Sequence, residues 1–187
     1  SIRNGEDDPT AYKNLGELLL RKGEKERSIE SIKRSLELKQ DKDTEKLLIR
    51  ALIDSNKLDE AENILENLRE DDDYFMLKGD LNKMKGGWGR AIQLYQKSRL
   101  KEVMKYIGEL YLANERYEKS LNAYSKYLDA KELDHEALKG KAECLLKLGD
   151  EEEALELINK SISIDAQDDK KWTILGKIFE KQGESDK

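Results

Sequence analysis

The strongest constraint on this chain is a period. Small residues recur at Ser28, Ala61, Ala91, Ser120 and Ala154, roughly 29 to 34 residues apart. Four residues after each stands a large side chain: Ile32, Leu65, Tyr95, Tyr124 and Ile158. Upstream, Tyr12, Leu15, Gly16 and Leu19 share their spacing with Met104, Ile107, Gly108 and Tyr111, and with Trp172, Leu175, Gly176 and Phe179. Within each segment the apolar residues follow the i, i+3, i+4, i+7 spacing of an amphipathic helix. In the first period these are Tyr12, Leu15 and Leu19, then Ile29, Ile32 and Leu36. Two such helices per period bury their apolar stripes only when each helix pair stacks on the next.

These residues resemble the tetratricopeptide repeat (TPR), whose pattern is W-x2-L-G-x2-Y followed by A-x3-F over about 34 residues. The resemblance runs from about residue 9 to residue 183. It implies an all-α fold, a right-handed α–α superhelix (solenoid) of antiparallel helix pairs with about eleven helices. The expected repeats are 9–41, 42–71, 72–100, 101–134 and 135–168, followed by a terminal helix over 169–183. Residues 1–8 form an N-terminal extension and 9–187 the solenoid. Three departures stand out. No repeat ends in the family's Pro. The second repeat has Ile49 where Gly is usual, and the fifth has Ala142 there, with Gly140 two residues earlier. The second and third repeats are short, and the missing residues are expected between a second helix and the next first helix. Gly23, Gly86, Gly149 and Gly183 stand where first helices should end in a left-handed cap.

Composition narrows the function. Charged residues make up 41% and hydrophobic residues 37%, which suits a thin, two-layer, highly exposed fold. The net charge of −6 argues against nucleic acid as a partner. No stretch approaches the roughly 18 apolar residues of a membrane span, and a cytoplasmic location is expected. One cysteine and one histidine exclude an intrachain disulfide and the paired-ligand zinc motifs. Cys144 is expected as a buried thiol and His135 as a surface residue heading a helix. The run Gly86-Gly87-Trp88-Gly89-Arg90 lacks the Gly-Lys-Ser/Thr of a phosphate loop. It reads as a turn, with Trp88 in the apolar place held by Leu58 and Tyr117 elsewhere. Acidic clusters at Glu6-Asp7-Asp8, Asp71-Asp72-Asp73, Glu151-Glu152-Glu153 and Asp168-Asp169 lack the form of a calcium loop. They precede helices or occupy first turns, where acids complement the helix dipole. No nucleophile–base pair emerges, so the chain is read as non-enzymatic, with no metal and no cofactor.

The resemblance also implies a binding surface, the concave groove lined by the first helices, which takes an extended peptide or helix of a protein partner. On the side of those helices away from the apolar stripe stand Lys13, Glu17 and Leu20, then Lys46 and Arg50, then Met76, Asp80 and Met84. Lys105, Glu109 and Leu112 follow, then Lys139, Glu143 and Leu146. Acids and bases nearly balance along this face. Lys13–Glu17, Lys105–Glu109 and Lys139–Glu143 have the spacing of i,i+4 ion pairs. The Lys and Asn positions of the family's carboxylate clamp are not met in any window, which disfavours a chaperone adaptor. The expected function is a scaffold or adaptor that binds a partner segment in this groove. A self-assembling scaffold and the targeting arm of a larger enzyme are the alternatives. The terminal helix carries Trp172, Leu175, Ile178 and Phe179. Part of this set should pack around Leu155 and Ile158, and Trp172 with Phe179 is the expected site of self-association.

Overall fold

A computed structural model describes residues 8–185. Among the described residues there are eleven helices and no strand. They are α1 (Pro9–Arg21), α2 (Lys25–Leu38), α3 (Lys42–Asp54), α4 (Leu58–Leu65), α5 (Asp72–Met84) and α6 (Trp88–Tyr95), then α7 (Val103–Ala113), α8 (Tyr117–Leu128), α9 (His135–Leu148), α10 (Glu151–Ile164) and α11 (Asp169–Ser185). Odd-numbered helices are the first members of pairs and even-numbered helices the second. The chain divides into two compact units, Ser1–Ser98 with α1 to α6 and Arg99–Lys187 with α7 to α11. Residues 1–7, most of the expected N-terminal extension and with them Glu6 and Asp7, lie outside the described residues.

Each pair closes because a small residue lets two helices approach. Ser28, Ala61, Ala91, Ser120 and Ala154 are all completely buried. The large side chain four residues on, one turn along the second helix, lies at the crossing. A Cβ on Gly16 would collide with Ile32, one on Gly79 with the Tyr95 ring, and one on Gly108 would stand 3.0 Å from the Tyr124 ring. Where the small residue is serine, it also closes a backbone hydrogen bond. The Ser28 hydroxyl donates to the Gly16 carbonyl at 2.7 Å, and the Ser120 hydroxyl to the Gly108 carbonyl at 2.8 Å. The displaced Gly140 has its own cause. A Cβ there would meet the Tyr124 ring, so Tyr124 lies between α7 and α9 with a glycine on each side.

Turns inside the pairs repeat one backbone device. Gly23, Gly86 and Gly149 have φ of 78°, 78° and 90°, the left-handed conformation that ends a helix. Asn56 and Glu115 take it in the other two pairs, at 58° and 56°. Gly183, expected as such a cap, lies inside α11. The short second and third repeats lose their residues from the second helices: α4 and α6 have 8 residues, against 14 in α2 and α10. Two apolar side chains are more exposed than their pattern implies. Leu15, on the expected buried stripe, is 42% exposed on α1, and Trp88 opens α6 at 40%. The helices pack with α1 against α2 and α3, and with α11 against α10 and α9.

The close crossings predict a size limit. Gly79→Ala should lower stability by about 1–3 kcal/mol in urea unfolding, the cost of overpacking a filled site. An unchanged unfolding midpoint would show that Tyr95 yields freely.

Candidate functional site

The lysines expected in the groove are held by the next first helix of their compact unit. Asp8, Asp41, Asp71, Asp134 and Asp168 each precede a first helix, and each accepts a hydrogen bond from a backbone N–H of its first turn. The donors are Thr10, Thr44, Tyr74, Ala137 and Lys170, at 2.8–3.0 Å. Four of these aspartates also meet a lysine from the preceding first helix of their compact unit. Lys13 pairs with Asp41 at 3.5 Å, Lys46 with Asp71 at 2.9 Å, Lys105 with Asp134 at 2.9 Å and Lys139 with Asp168 at 2.5 Å. Lys46 also reaches Asp73 at 2.7 Å, and Lys139 reaches Glu136 at 2.7 Å. Tyr127 donates its hydroxyl to Asp134 at 2.7 Å.

These contacts correct the expected i,i+4 pairing at Lys13 and Lys139. Lys13 and Lys139 reach across to Asp41 and Asp168 rather than along their helices to Glu17 and Glu143. Lys105 likewise reaches across to Asp134. The reason is electrostatic. A helix N-terminus carries partial positive charge, so an aspartate is fixed there, one first helix away, where its carboxylate is well placed for the lysine. The sequence does carry the signal, as Asp-x4-Lys at Asp8–Lys13, Asp41–Lys46 and Asp134–Lys139. Asp41 and Asp134 stand outside any acidic cluster, so attention to clusters misses them.

Titration behaviour follows from these contacts. Burial works against the charge on Asp134, but the Ala137 N–H, Lys105 and Tyr127 outweigh it and hold the carboxyl at about 2. Bonds from Thr44 lower Asp41, and the bond from Lys139 lowers Asp168. Asp71 is lowered as well, because Lys46 and the Tyr74 N–H overcome its burial. Asp80 moves the other way. Burial raises it, and the Tyr95 hydroxyl that donates to it at 2.5 Å, with Lys83 and Arg50 nearby, offsets only part of that.

The remaining expected site residues divide between the two compact units. In the first, Glu17, Leu20, Met76 and Asp80 are half-buried, whereas Arg50 and Met84 are exposed. Leu20 packs against the core of that unit. On α5, Met76 occupies the place that lysine holds on α1, α3 and α9, five residues after the capping aspartate. In the second, Glu109, Glu143 and Leu112 are half-buried, with Leu112 against Tyr124, Tyr127, Ala137 and Cys144. Leu146, expected in the groove, is not available for contact. It is buried with Ala142, Ile158, Ile174 and Ile178, because the stripe of α9 widens to cover both α10 and α11. Trp172 and Phe179 are exposed on α11, while Ile178 is buried beside Ile158.

Three polar groups mark the core of the second compact unit. Cys144 donates its thiol to the Ser120 hydroxyl at 3.1 Å, and burial pushes it up to about 11, which makes it an inert thiol. Lys171 escapes the sequence analysis. It is fully buried, with its ammonium on the Asp165 carbonyl at 2.7 Å, the Asp165 carboxylate at 3.3 Å and His135 Nδ1 at 3.0 Å. Its place in the row Lys171, Ile174, Ile178, otherwise apolar, is the signal that could have found it. His135 is therefore half-buried and engaged rather than a free surface residue. Among the described residues no three metal-ligating side chains cluster, and no helix is long and apolar enough to cross a membrane.

Comparison with known proteins agrees with this architecture. Tetratricopeptide repeat models match residues 11–46 and 107–169, together more than half of the chain. The chain belongs to the tetratricopeptide repeat family. Solved structures share the fold at low identity. A chain of the APC/C Cut9–Hcn1 hetero-tetramer aligns with TM-score 0.76 and 15% identity over 93% of this chain, which spans 37% of that one. A thermophilic TPR protein of Thermus thermophilus gives 0.74 and 17% over 91% of this chain and 98% of its own. YrrB, a TPR protein with an unusual peptide-binding site, gives 0.51 and 19% over 87% and 89%. No curated protein matches the chain. TPR proteins are in general protein–protein interaction scaffolds without catalytic machinery.

The depressed aspartates set a pH window. Their stabilisation is complete above the unfolded value of about 3.9 and is lost as pH falls through the folded values, so acid unfolding should begin below about pH 4. At pH 7, Asp134→Asn should cost about 1.5–3 kcal/mol, the range for charge-assisted hydrogen bonds, and the cost should shrink toward pH 2. Asp80→Asn should instead raise stability at pH 7, because a carboxyl with a raised folded value is destabilising when ionised. Urea titrations at both pH values test this; equal effects at the two sites would contradict it.

Proposed function

We propose that the chain is a non-catalytic adaptor that binds a segment of a partner protein on its first-helix face, anchored by methionine. The observation that carries this reading is the row Met76, Asp80 and Met84 on α5, beside Arg50 of α3. Met76 stands at the position that lysine holds on α1, α3 and α9, and Met84 is 46% exposed. The lysines at the other first-helix positions are engaged within the protein, so contact with a partner falls to the side chains left over. Methionine suits such a role because its flexible, polarisable chain adapts to varied apolar partners. Arg50, exposed beside the row, favours a segment with an acidic residue next to its apolar anchor.

Alanine at Lys105 or Lys139 should lower stability by loosening α9 or α11, whose capping aspartates these lysines meet. The experiment is peptide selection against the whole chain, with affinities of the winning peptides then measured on variants. Met76→Glu and Met84→Glu should each weaken binding about tenfold or more, as for a buried apolar contact at an interface centre. Glu118→Lys, at an exposed position of α8, should leave it unchanged. Winning peptides that bind both methionine variants as tightly as the parent chain would overturn the reading.

A further inference from the structure

α11 is sided. Ile174 and Ile178 are buried with Ala154 and Ile158, and hold the helix to its own unit. On the opposite side stand Trp172, Gly176, Phe179 and Gly183, which fall within about 60° of the circumference at 3.6 residues per turn. Trp172 is 49% exposed and Phe179 55%. The indole N–H donates to the Ala166 carbonyl at 2.9 Å, which fixes the ring without covering it. Among the described residues, and beyond the helix's own backbone, no atom lies within 4 Å of the place a Cβ would take on Gly176 or Gly183.

On three other first helices such a vacancy is filled. Gly16 receives Ile32, Gly79 receives Tyr95 and Gly108 receives Tyr124, each from a second helix packed across the first. On α11 the same residue type stands open, alternating along one face with half-exposed aromatic rings. The face therefore carries both halves of the contact that closes those pairs.

We propose that two copies of this chain associate through α11 in an isologous, antiparallel helix pair, each copy seating its aromatic residues over the other's glycines. The spacing fixes the register. With the twofold axis level with the midpoint between Lys177 and Ile178, Phe179 lies opposite Gly176 of the second copy. The same register sets Trp172 opposite Gly183 of the second copy. Every ring and every glycine of the two faces is then used, and the contact closes on itself, as an isologous interface must. A parallel pair shifted by four residues seats the rings of one copy only, leaving those of the other bare. Self-complementarity thus selects a second copy of the chain over an unrelated helix.

The test is sedimentation equilibrium of the whole chain across a concentration series, with tryptophan emission recorded alongside. A monomer–dimer equilibrium is expected, with the emission of Trp172 shifting to the blue as dimer forms. Gly176→Leu fills the seat from outside without touching its own subunit. It should weaken the dimer about tenfold or more, as loss of a well-seated interface contact does. At dilutions where the chain is monomeric, the same change should raise the unfolding temperature, because leucine is the better helix former. Phe179→Lys and Trp172→Ala should also weaken the dimer, and Met84→Glu should not, which separates this contact from the α5 surface. A chain monomeric at every concentration, a dimer indifferent to Gly176→Leu and Phe179→Lys, or growth beyond the dimer would each overturn the proposal.

Discussion

An aspartate shared between two helices holds each compact unit together. In Asp41, Asp71, Asp134 and Asp168 one carboxylate caps the helix that follows and accepts the lysine of the preceding first helix. Both groups it meets are positive, one a helix terminus and the other an ammonium. Removing the charge therefore leaves two like ends facing each other, which costs more than losing a cap alone. The pairs differ in weight. Lys13 and Asp41 are 3.5 Å apart, with the carboxylate 42% exposed, and belong with the surface pairs that contribute little. Lys105–Asp134 and Lys139–Asp168 are shorter and largely covered, and Tyr127 adds a third bond at Asp134. In the first unit Lys46 is as well covered and is held by both Asp71 and Asp73.

The other recurring contact is steric. A glycine on the first helix and a large side chain on the second set the depth of the pair at Gly16, Gly79 and Gly108, while a completely buried small residue one turn earlier lets the backbones meet. The same packing logic explains Gly140, which makes room for Tyr124 from the preceding pair. Where glycine is not matched by a neighbour, as at Gly176, the helix keeps an apolar face whose form is that of an unfilled crossing. Polar contacts thus align the first helices within a unit, and small-residue contacts close each pair.

The period, the helix pairs and the buried small residues were legible in the sequence because each depends on residue type at a fixed local spacing. The left-handed turns were legible at Gly23, Gly86 and Gly149, but not at Asn56 and Glu115, where the fold imposes a conformation that the residue type does not announce. Site residues were less legible. Helical spacing names the face a lysine occupies and not the group it reaches, so the cross-helix partners of Lys13, Lys105 and Lys139 could not be told from neighbours on the same helix. Leu146 looked available because a single stripe was drawn on α9, whereas α9 is covered on two sides. Lys171 was passed over because a charge within an apolar row reads as solvent-facing until Asp165 and His135 are seen beside it.

These features give the first-helix face a division of labour. Lys13, Lys46, Lys105 and Lys139 serve the packing of the protein itself, and on the function proposed above Met76 and Met84 serve a partner. That account stands on the cross-helix pairs being energetically coupled rather than merely adjacent. A double-mutant cycle at Lys139 and Asp168, with Lys139→Met, Asp168→Asn and the double variant followed by urea unfolding at pH 7, measures this directly. A coupling of about 1 kcal/mol or more is the expected result, within the range for residues sharing one ion-pair network. Additive effects within about 0.3–0.5 kcal/mol, the behaviour of independent sites, would contradict it.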